Sequence, residues 1–273
     1  MKAVEDHIEE APNEFLISRR VALGAGIGAI FAPVSGLVAT ASAATATDKI
    51  KEAAKIDDFL KNIPNICRVA TQTVEGPYYI KQSIIRSDIR DGEPGRTLHL
   101  SFQIVDANTG CKPVPGALVS IWHCNAKGQY SGYIHNDPNF FPNIERVNEK
   151  GHYPEETPER FLRGAQTTDA EGKVSFTTIF PGWYTPRAIH IHVRVYLNDK
   201  DLMTTQVYFP QEVIDQVLTL DEAYKDRGAT IFTNENDMVR RQSGISGQED
   251  IIKITVNDDG SLAGFIVLGA SHI

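Results

Sequence analysis

From Ile189 to Leu197 the chain alternates strictly. Ile189, Ile191, Val193, Val195 and Leu197 fall on one side, and His190, His192, Arg194 and Tyr196 on the other. Successive strand side chains point to opposite faces, so this stretch predicts a β-strand with one apolar face and two imidazoles on the other. Same-face neighbours on a strand stand roughly 6.5 to 7 Å apart, close enough for two histidines to meet at one metal ion. The preceding residues, Pro181-Gly182-Trp183-Tyr184-Thr185-Pro186-Arg187, add a phenol and a guanidinium. Pro181-Gly182 suits the centre of a type II turn that aims Tyr184 back at the strand. On residues alone, a His-x-His pair fits buried, hydrogen-bonded histidines as well as it fits a metal site.

Further strands are predicted at residues 98–106, 115–123, 161–168, 173–179 and 202–209, with a closing hairpin over 251–256 and 262–268. The turns Asn108-Thr109-Gly110, Asp169-Ala170-Glu171-Gly172 and Asn257-Asp258-Asp259-Gly260 punctuate them. Gly76-Pro77 leads into Tyr78 and Tyr79 as a turn entering an edge strand. Amphipathic helices are expected only at the margins, over 48–63 and 212–220, with some helical character in the polar stretch 221–248. Many short strands with peripheral helices predict an all-β fold, a sandwich of two packed sheets. The unpatterned stretch 134–160 reads equally as a lid or as a surface loop.

Residues 1–44 are different in kind. Ser18-Arg19-Arg20-Val21-Ala22-Leu23, the Gly/Ala-rich run to Thr40, and Ala41-Ser42-Ala43 resemble a twin-arginine export signal with its cleavage site. Pro33 and the many glycines make a poor permanent span. The expectation is therefore an exported protein, periplasmic or secreted, with no stable membrane span once the signal is removed. A short helical segment, 45–70, then precedes one domain over 71–273. Lys+Arg number 27 against 35 Asp+Glu, a net charge of −8 with no long basic run, which argues against a nucleic-acid partner. Of Cys67, Cys111 and Cys124, two can pair in an oxidising compartment and one is left over. None lies in a CxxC arrangement, which argues against a zinc-thiolate site.

The sequence resembles the intradiol ring-cleavage dioxygenases. One matching motif runs from Gly116 to Tyr130 and includes Ser120-Ile121-Trp122-His123-Cys124-Asn125-Ala126-Lys127-Gly128-Gln129-Tyr130. The second is Pro181-Gly182-Trp183-Tyr184 with Arg187-Ala188-Ile189-His190-Ile191-His192. Thr205-Gln206-Val207-Tyr208-Phe209 and Glu75-Gly76-Pro77-Tyr78-Tyr79 are weaker matches, in the same order as in the family.

The resemblance implies one non-haem Fe(III) per chain, held by Tyr130, Tyr184, His190 and His192. A phenol has a pKa of about 10, but a hard trivalent ion stabilises the phenolate. Two phenolates then offset much of the ion's charge, and imidazoles supply neutral donors. The resemblance further implies a catalytic role for Tyr184, as the ligand displaced by a chelating catechol. Arg187 is implied as the cation that stabilises charge on the activated substrate, and Gln206 as a neighbour of the reacting ring. Tyr78 and Tyr79 are the substrate-contact candidates, with plain packing as the alternative. Tyr133 competes with Tyr130 as ligand, although the Gly-x-Tyr match favours Tyr130.

Trp122, Trp183 and Phe180 are expected in the core, and His123, His135 and His152 are expected to be structural or solvent-facing. The implied reaction takes a small aromatic diol and O2 to a cis,cis-muconate-type diacid. Arg163 or Arg194 is available for a substrate carboxylate. The long helical N-terminal dimerisation segment of the catechol 1,2-dioxygenases is absent, since only residues 48–63 read as helical before the first motif, so quaternary structure is open, a homo-oligomer included. The rival readings are a non-catalytic prealbumin-like sandwich module and a copper or zinc site built from the same residues.

Overall fold

Alternation translates directly into burial along the first strand, where Leu98, Leu100, Phe102 and Ile104 are all fully buried. The computed structural model describes residues 69–81, 84–133, 136–141 and 146–271, all within one compact unit, Asn62–Ile273. The export signal, the helix expected over 48–63, Cys67 and His135 lie outside the described residues.

Among the described residues there are nine strands: β1 (Thr97–Asp106), β2 (Lys112–Pro113), β3 (Leu118–Trp122), β4 (Arg163–Thr167), β5 (Lys173–Ile179), β6 (His190–Leu197), β7 (Lys200–Tyr208), β8 (Lys253–Val256) and β9 (Leu262–Ala270). In one sheet β1 lies between antiparallel β5 and parallel β9, and β9 continues antiparallel to β8. The other sheet runs β4-β3-β6-β7, antiparallel throughout. Their facing sides meet in one core cluster that includes Leu100 and Phe102 from β1, Val119 and Ile121 from β3, and Ile191 and Val193 from β6. Burying such a side chain fully stabilises the fold by roughly 1.5–3 kcal/mol. These are the two packed sheets that the alternation predicts.

The α-helices among the described residues are peripheral: α1 (Gln211–Leu220), α2 (Glu222–Lys225) and α3 (Met238–Gln242). Val213, Ile214, Val217 and Leu218 make the buried stripe of α1. Among the described residues no helix is long and apolar enough to cross a membrane.

Three local expectations are corrected. Gly182 does not have the positive φ that a type II turn requires. It is glycine for closeness instead, since a Cβ there would sit 2.3 Å from the carbonyl oxygen of Ala126. Tyr78 lies in a turn and Tyr79 just after it, not in an edge strand. The segment before them nevertheless follows β7, through Thr73 N–H to the Thr204 carbonyl (2.9 Å) and the Thr205 hydroxyl to the Thr71 carbonyl (2.8 Å). The strand expected from Pro115 begins only at Leu118, because Gly116 takes φ 73° and its N–H reaches the Thr168 carbonyl.

Candidate metal centre

The histidine face of β6 is the one turned away from the sandwich core, yet His190 and His192 are only 2% and 1% exposed. Strand register explains part of this cover. Trp122 of β3 and Gln206 of β7 flank His192 in one row, and Tyr208 pairs with His190. Loops supply the rest. Residues 75–80, 124–133 and 146–157 bring Tyr78, Tyr79, Tyr130, Tyr133 and Tyr153 over this face as a second buried cluster with Tyr184.

Two close approaches of backbone set the tyrosines. After β3 the Asn125 side chain accepts from the N–H groups of Lys127 and Gln129, at 3.0 Å each, which folds the chain into a tight loop ending at Tyr130. The Gly182 N–H donates to the Asn125 carbonyl (3.0 Å) and ties that loop to the segment carrying Tyr184. A Cβ on Gly128 would lie 2.3 Å from the Trp183 carbonyl oxygen, so glycine is required on both sides of the junction. Tyr184 and Arg187 then bracket a turn with a cis Thr185–Pro186 bond, closed by Arg187 N–H to the Tyr184 carbonyl (2.8 Å).

Four donor atoms converge. His190 Nε2 and His192 Nε2 are 3.1 Å apart. The Tyr130 hydroxyl is 3.1 Å from His192 Nε2, and the Tyr184 hydroxyl is 3.2 Å from His190 Nε2. His190 Nδ1 lies 2.7 Å from the Ala188 carbonyl, so Nδ1 carries the proton and Nε2 turns its lone pair inward. Burial, followed by the Arg187 charge for His190 and by the His190 and Arg187 charges for His192, holds both imidazoles well below the ordinary histidine pKa, and both are neutral. Burial also pushes the Tyr130 phenol well up and the Tyr184 phenol up to about 12. The Arg187 charge opposes this rise without overcoming it, and both phenols keep their protons.

Arg187 lies against this cluster and is 6% exposed. Its Nε donates to Asp237 Oδ2 (2.8 Å), and its Nη2 to Asp237 Oδ1 (3.2 Å), Gln206 Oε1 (2.5 Å) and the Tyr208 hydroxyl (3.0 Å). Nη1 faces His190 Nε2 at 3.4 Å. Burial works against the guanidinium charge, but Tyr184, Tyr208 and Asp237 outweigh it and keep Arg187 protonated. Gln206 is fully buried and anchored by its own amide to the Val74 carbonyl (3.0 Å).

The other expected site residues separate. Tyr78 stacks on Tyr130, with centroids 4.5 Å apart and planes at 13°, and meets Tyr184 edge-on. Tyr79 packs on Trp122 and places its hydroxyl 3.1 Å from that of Tyr196, so it reaches His192 only through Trp122. Tyr133 donates its hydroxyl to the Tyr79 carbonyl (3.2 Å). Arg163 is buried behind the Tyr130 ring and donates to Ser131 Oγ and the Ser131 carbonyl, both at 2.8 Å. Arg194 pairs with Glu75 (2.7 Å) and Asp201 (2.5 Å). Trp122, expected as core, stacks directly on His192. Asp237 was not legible as a site residue. Its only sequence signal is that of a helix cap, which its side chain fulfils by accepting from Arg240 N–H.

The sequence model of the dioxygenase family matches residues 74–242. A solved structure, the intradiol ring-cleavage dioxygenase from Tetranychus urticae, is 32% identical with a TM-score of 0.66, covering 75% of this chain and 95% of that one. This chain belongs to the intradiol ring-cleavage dioxygenase family. It is also similar to catechol 1,2-dioxygenase 2 of Acinetobacter lwoffii (30% identity, covering 50% of each chain). The protocatechuate 3,4-dioxygenase beta chain of Burkholderia cepacia is 28% identical, covering 56% of this chain and 64% of that one. The matches with these two curated relatives thus span half to under two thirds of the relatives' own lengths.

Members of this family use non-haem iron, and the donor set here suits it. Among the described residues no three His, Cys, Asp or Glu side chains gather as a metal site, so an ion at this place has to be held by phenols as well as imidazoles. Donor atoms that share one ion through bonds of about 2 Å lie within roughly 4 Å of one another. The observed spacings of 3.1 and 3.2 Å fall within that limit. The Nε2 atoms of both imidazoles face inward beside the two phenol oxygens, and a donor set of two neutral imidazoles and two ionisable phenols matches a hard trivalent cation.

Proposed function

We propose that the protein is an exported non-haem Fe(III) intradiol dioxygenase with one iron per chain. It opens the ring of a catechol-type substrate between the two hydroxyl-bearing carbons with O2, giving a cis,cis-muconate-type diacid. The observation that carries this reading is the meeting of Tyr130, Tyr184, His190 and His192 beside a buried, fixed arginine. The names of the curated relatives, catechol and protocatechuate dioxygenases, support it.

Those four side chains would hold the ion. The chemistry that ferric iron would supply there is withdrawal of electron density from a bound catecholate, which makes a ring carbon reactive toward O2. The chain's own groups do the rest. Tyr184, next to His190, would as a phenolate accept a proton from an incoming substrate hydroxyl, and Tyr130 would help hold the ion. Arg187 Nη1, directed at the same place, stabilises negative charge on the substrate, and in a dry site this interaction is strong. Gln206 Oε1 accepts from Nη2 of the same guanidinium. Tyr78, flat against Tyr130, offers its ring to the substrate ring.

Arg163 and Arg194 are engaged by Ser131 and by Glu75 and Asp201. This favours catechols without a ring carboxylate. The disulfide at Cys111 supports export to an oxidising compartment, whereas Cys124 is buried and free.

Iron-loaded full chain is expected to be red to burgundy, to consume O2 when given catechol, and to yield cis,cis-muconate. A colourless protein that stays inert after ferric reconstitution, across a panel of catechols, would reject the proposal.

A further inference from the structure

Asp237 lies far along the chain from every motif discussed above, yet it is fully buried against the catalytic arginine. Its two oxygens receive five donors. Oδ2 accepts from Arg187 Nε (2.8 Å) and from Ala188 N–H (2.9 Å). Oδ1 accepts from Arg187 Nη2 (3.2 Å), from Arg240 N–H (3.0 Å) and from the Tyr208 hydroxyl (3.1 Å). The carboxylate therefore joins the start of β6, the end of β7 and the first turn of α3 at one point.

The geometry points to Asp237 as the positioning residue for Arg187. Two parallel N–H···O bonds fix a guanidinium in plane as well as in place, which one bond does not. They occupy the Nε/Nη2 edge and leave Nη1 as the edge that faces His190. Gln206 and Tyr208 touch only Nη2, so without Asp237 the guanidinium can swing about that atom. An arginine that stabilises developing charge must be held before the reaction, since reorganising it during the reaction costs rate. The inference rests on Arg187 facing the substrate, as proposed above.

The test uses full-length, iron-loaded protein with catechol as substrate. Asn caps a helix as well as Asp does, so Asp237→Asn keeps α3 capped while placing an amide NH2 against a donor of Arg187 or Arg240. Asp237→Ser is a second capping variant too short to reach the guanidinium. We expect either variant to retain iron and its visible colour, to lose about 10- to 100-fold in kcat, and to change KM by less than about threefold. In an Arg187→Ala background, Asp237→Asn is expected to cost no further kcat. Equal losses in both backgrounds overturn the inference. So does a loss of activity that follows iron content alone, because Asp237 then acts only through folding. Inactivity of the unmodified protein would instead defeat the functional proposal, which separates the two failures.

Discussion

The indole of Trp122 lies flat against the imidazole of His192, with centroids 4.8 Å apart and planes within 6°. The two histidines of the centre are thus oriented by different means. His190 is held by its Nδ1–H bond to the Ala188 carbonyl, whereas His192 Nδ1 has no hydrogen-bond partner among the described residues. Its ring is fixed by the stack and by Gly76, where a Cβ would come within 3.2 Å of its Cε1. Trp122→Leu removes the stack and is expected to weaken iron retention about 10- to 100-fold, the usual scale for losing the group that orients a metal-bound histidine. Trp122→Phe should keep most of it. Competition with a ferric chelator measures both; equal retention by the Leu variant and the unmodified protein would assign the ring's orientation to other contacts.

Tyr130 and Tyr133 are three residues apart and both are 2% exposed. Only Tyr130 places its oxygen at His192, while Tyr133 turns to the Tyr79 carbonyl. Tyr130→Phe is expected to lose colour and turnover together, and Tyr133→Phe to keep both. The visible spectrum of each iron-loaded variant decides, and the reverse pattern would exchange their roles.

Gly182→Ala drives a methyl group into the Ala126 carbonyl, 2.3 Å from the ideal Cβ position. The Tyr130 loop and the Tyr184 segment must then part. The expected result is a loss of about 1–3 kcal/mol of stability, together with reduced iron uptake. Urea unfolding and iron stoichiometry read the two effects separately, and normal uptake would show that the junction does not set the spacing of the tyrosines.

His123 is fully buried, with Nδ1 2.8 Å from the Cys124 carbonyl and Nε2 2.7 Å from the Thr178 hydroxyl. Burial lowers its pKa to about 4 from an ordinary 6.5. The unfolded chain therefore takes up a proton between about pH 6.5 and 4 that the folded chain refuses. His123 contributes nothing to pH dependence above this window and costs stability progressively as pH falls through it. At about 1.4 kcal/mol per pH unit the loss amounts to roughly 3 kcal/mol. Relative to unmodified protein, His123→Gln is expected to flatten the pH dependence of stability across this window; an unchanged slope would locate the acid sensitivity elsewhere.

The strand pattern was legible because it depends on short-range order, whereas the four proposed ligands were named only through the family resemblance. Alternation along 189–197 puts His190 and His192 together on any strand, and the glycines around Tyr130 and Tyr184 mark tight backbone. The Pro181-Gly182 turn was misread because a glycine kept for close packing looks, in one dimension, like a glycine kept for positive φ. Arg163 and Arg194 looked available to a substrate carboxylate, since sequence does not display Ser131, Glu75 or Asp201 as their partners.

The sequence by itself determined the periodicity, and through it an apolar face that must be buried and an imidazole face opposite. Only the tertiary structure decided what covers that second face. The β3-β6-β7 register places Trp122 and Gln206 beside His192, and the chain after α1 returns to set Asp237 on Arg187. Such contacts join residues distant in sequence. Packing and hydrogen-bond satisfaction select them, and no local propensity or spacing encodes them.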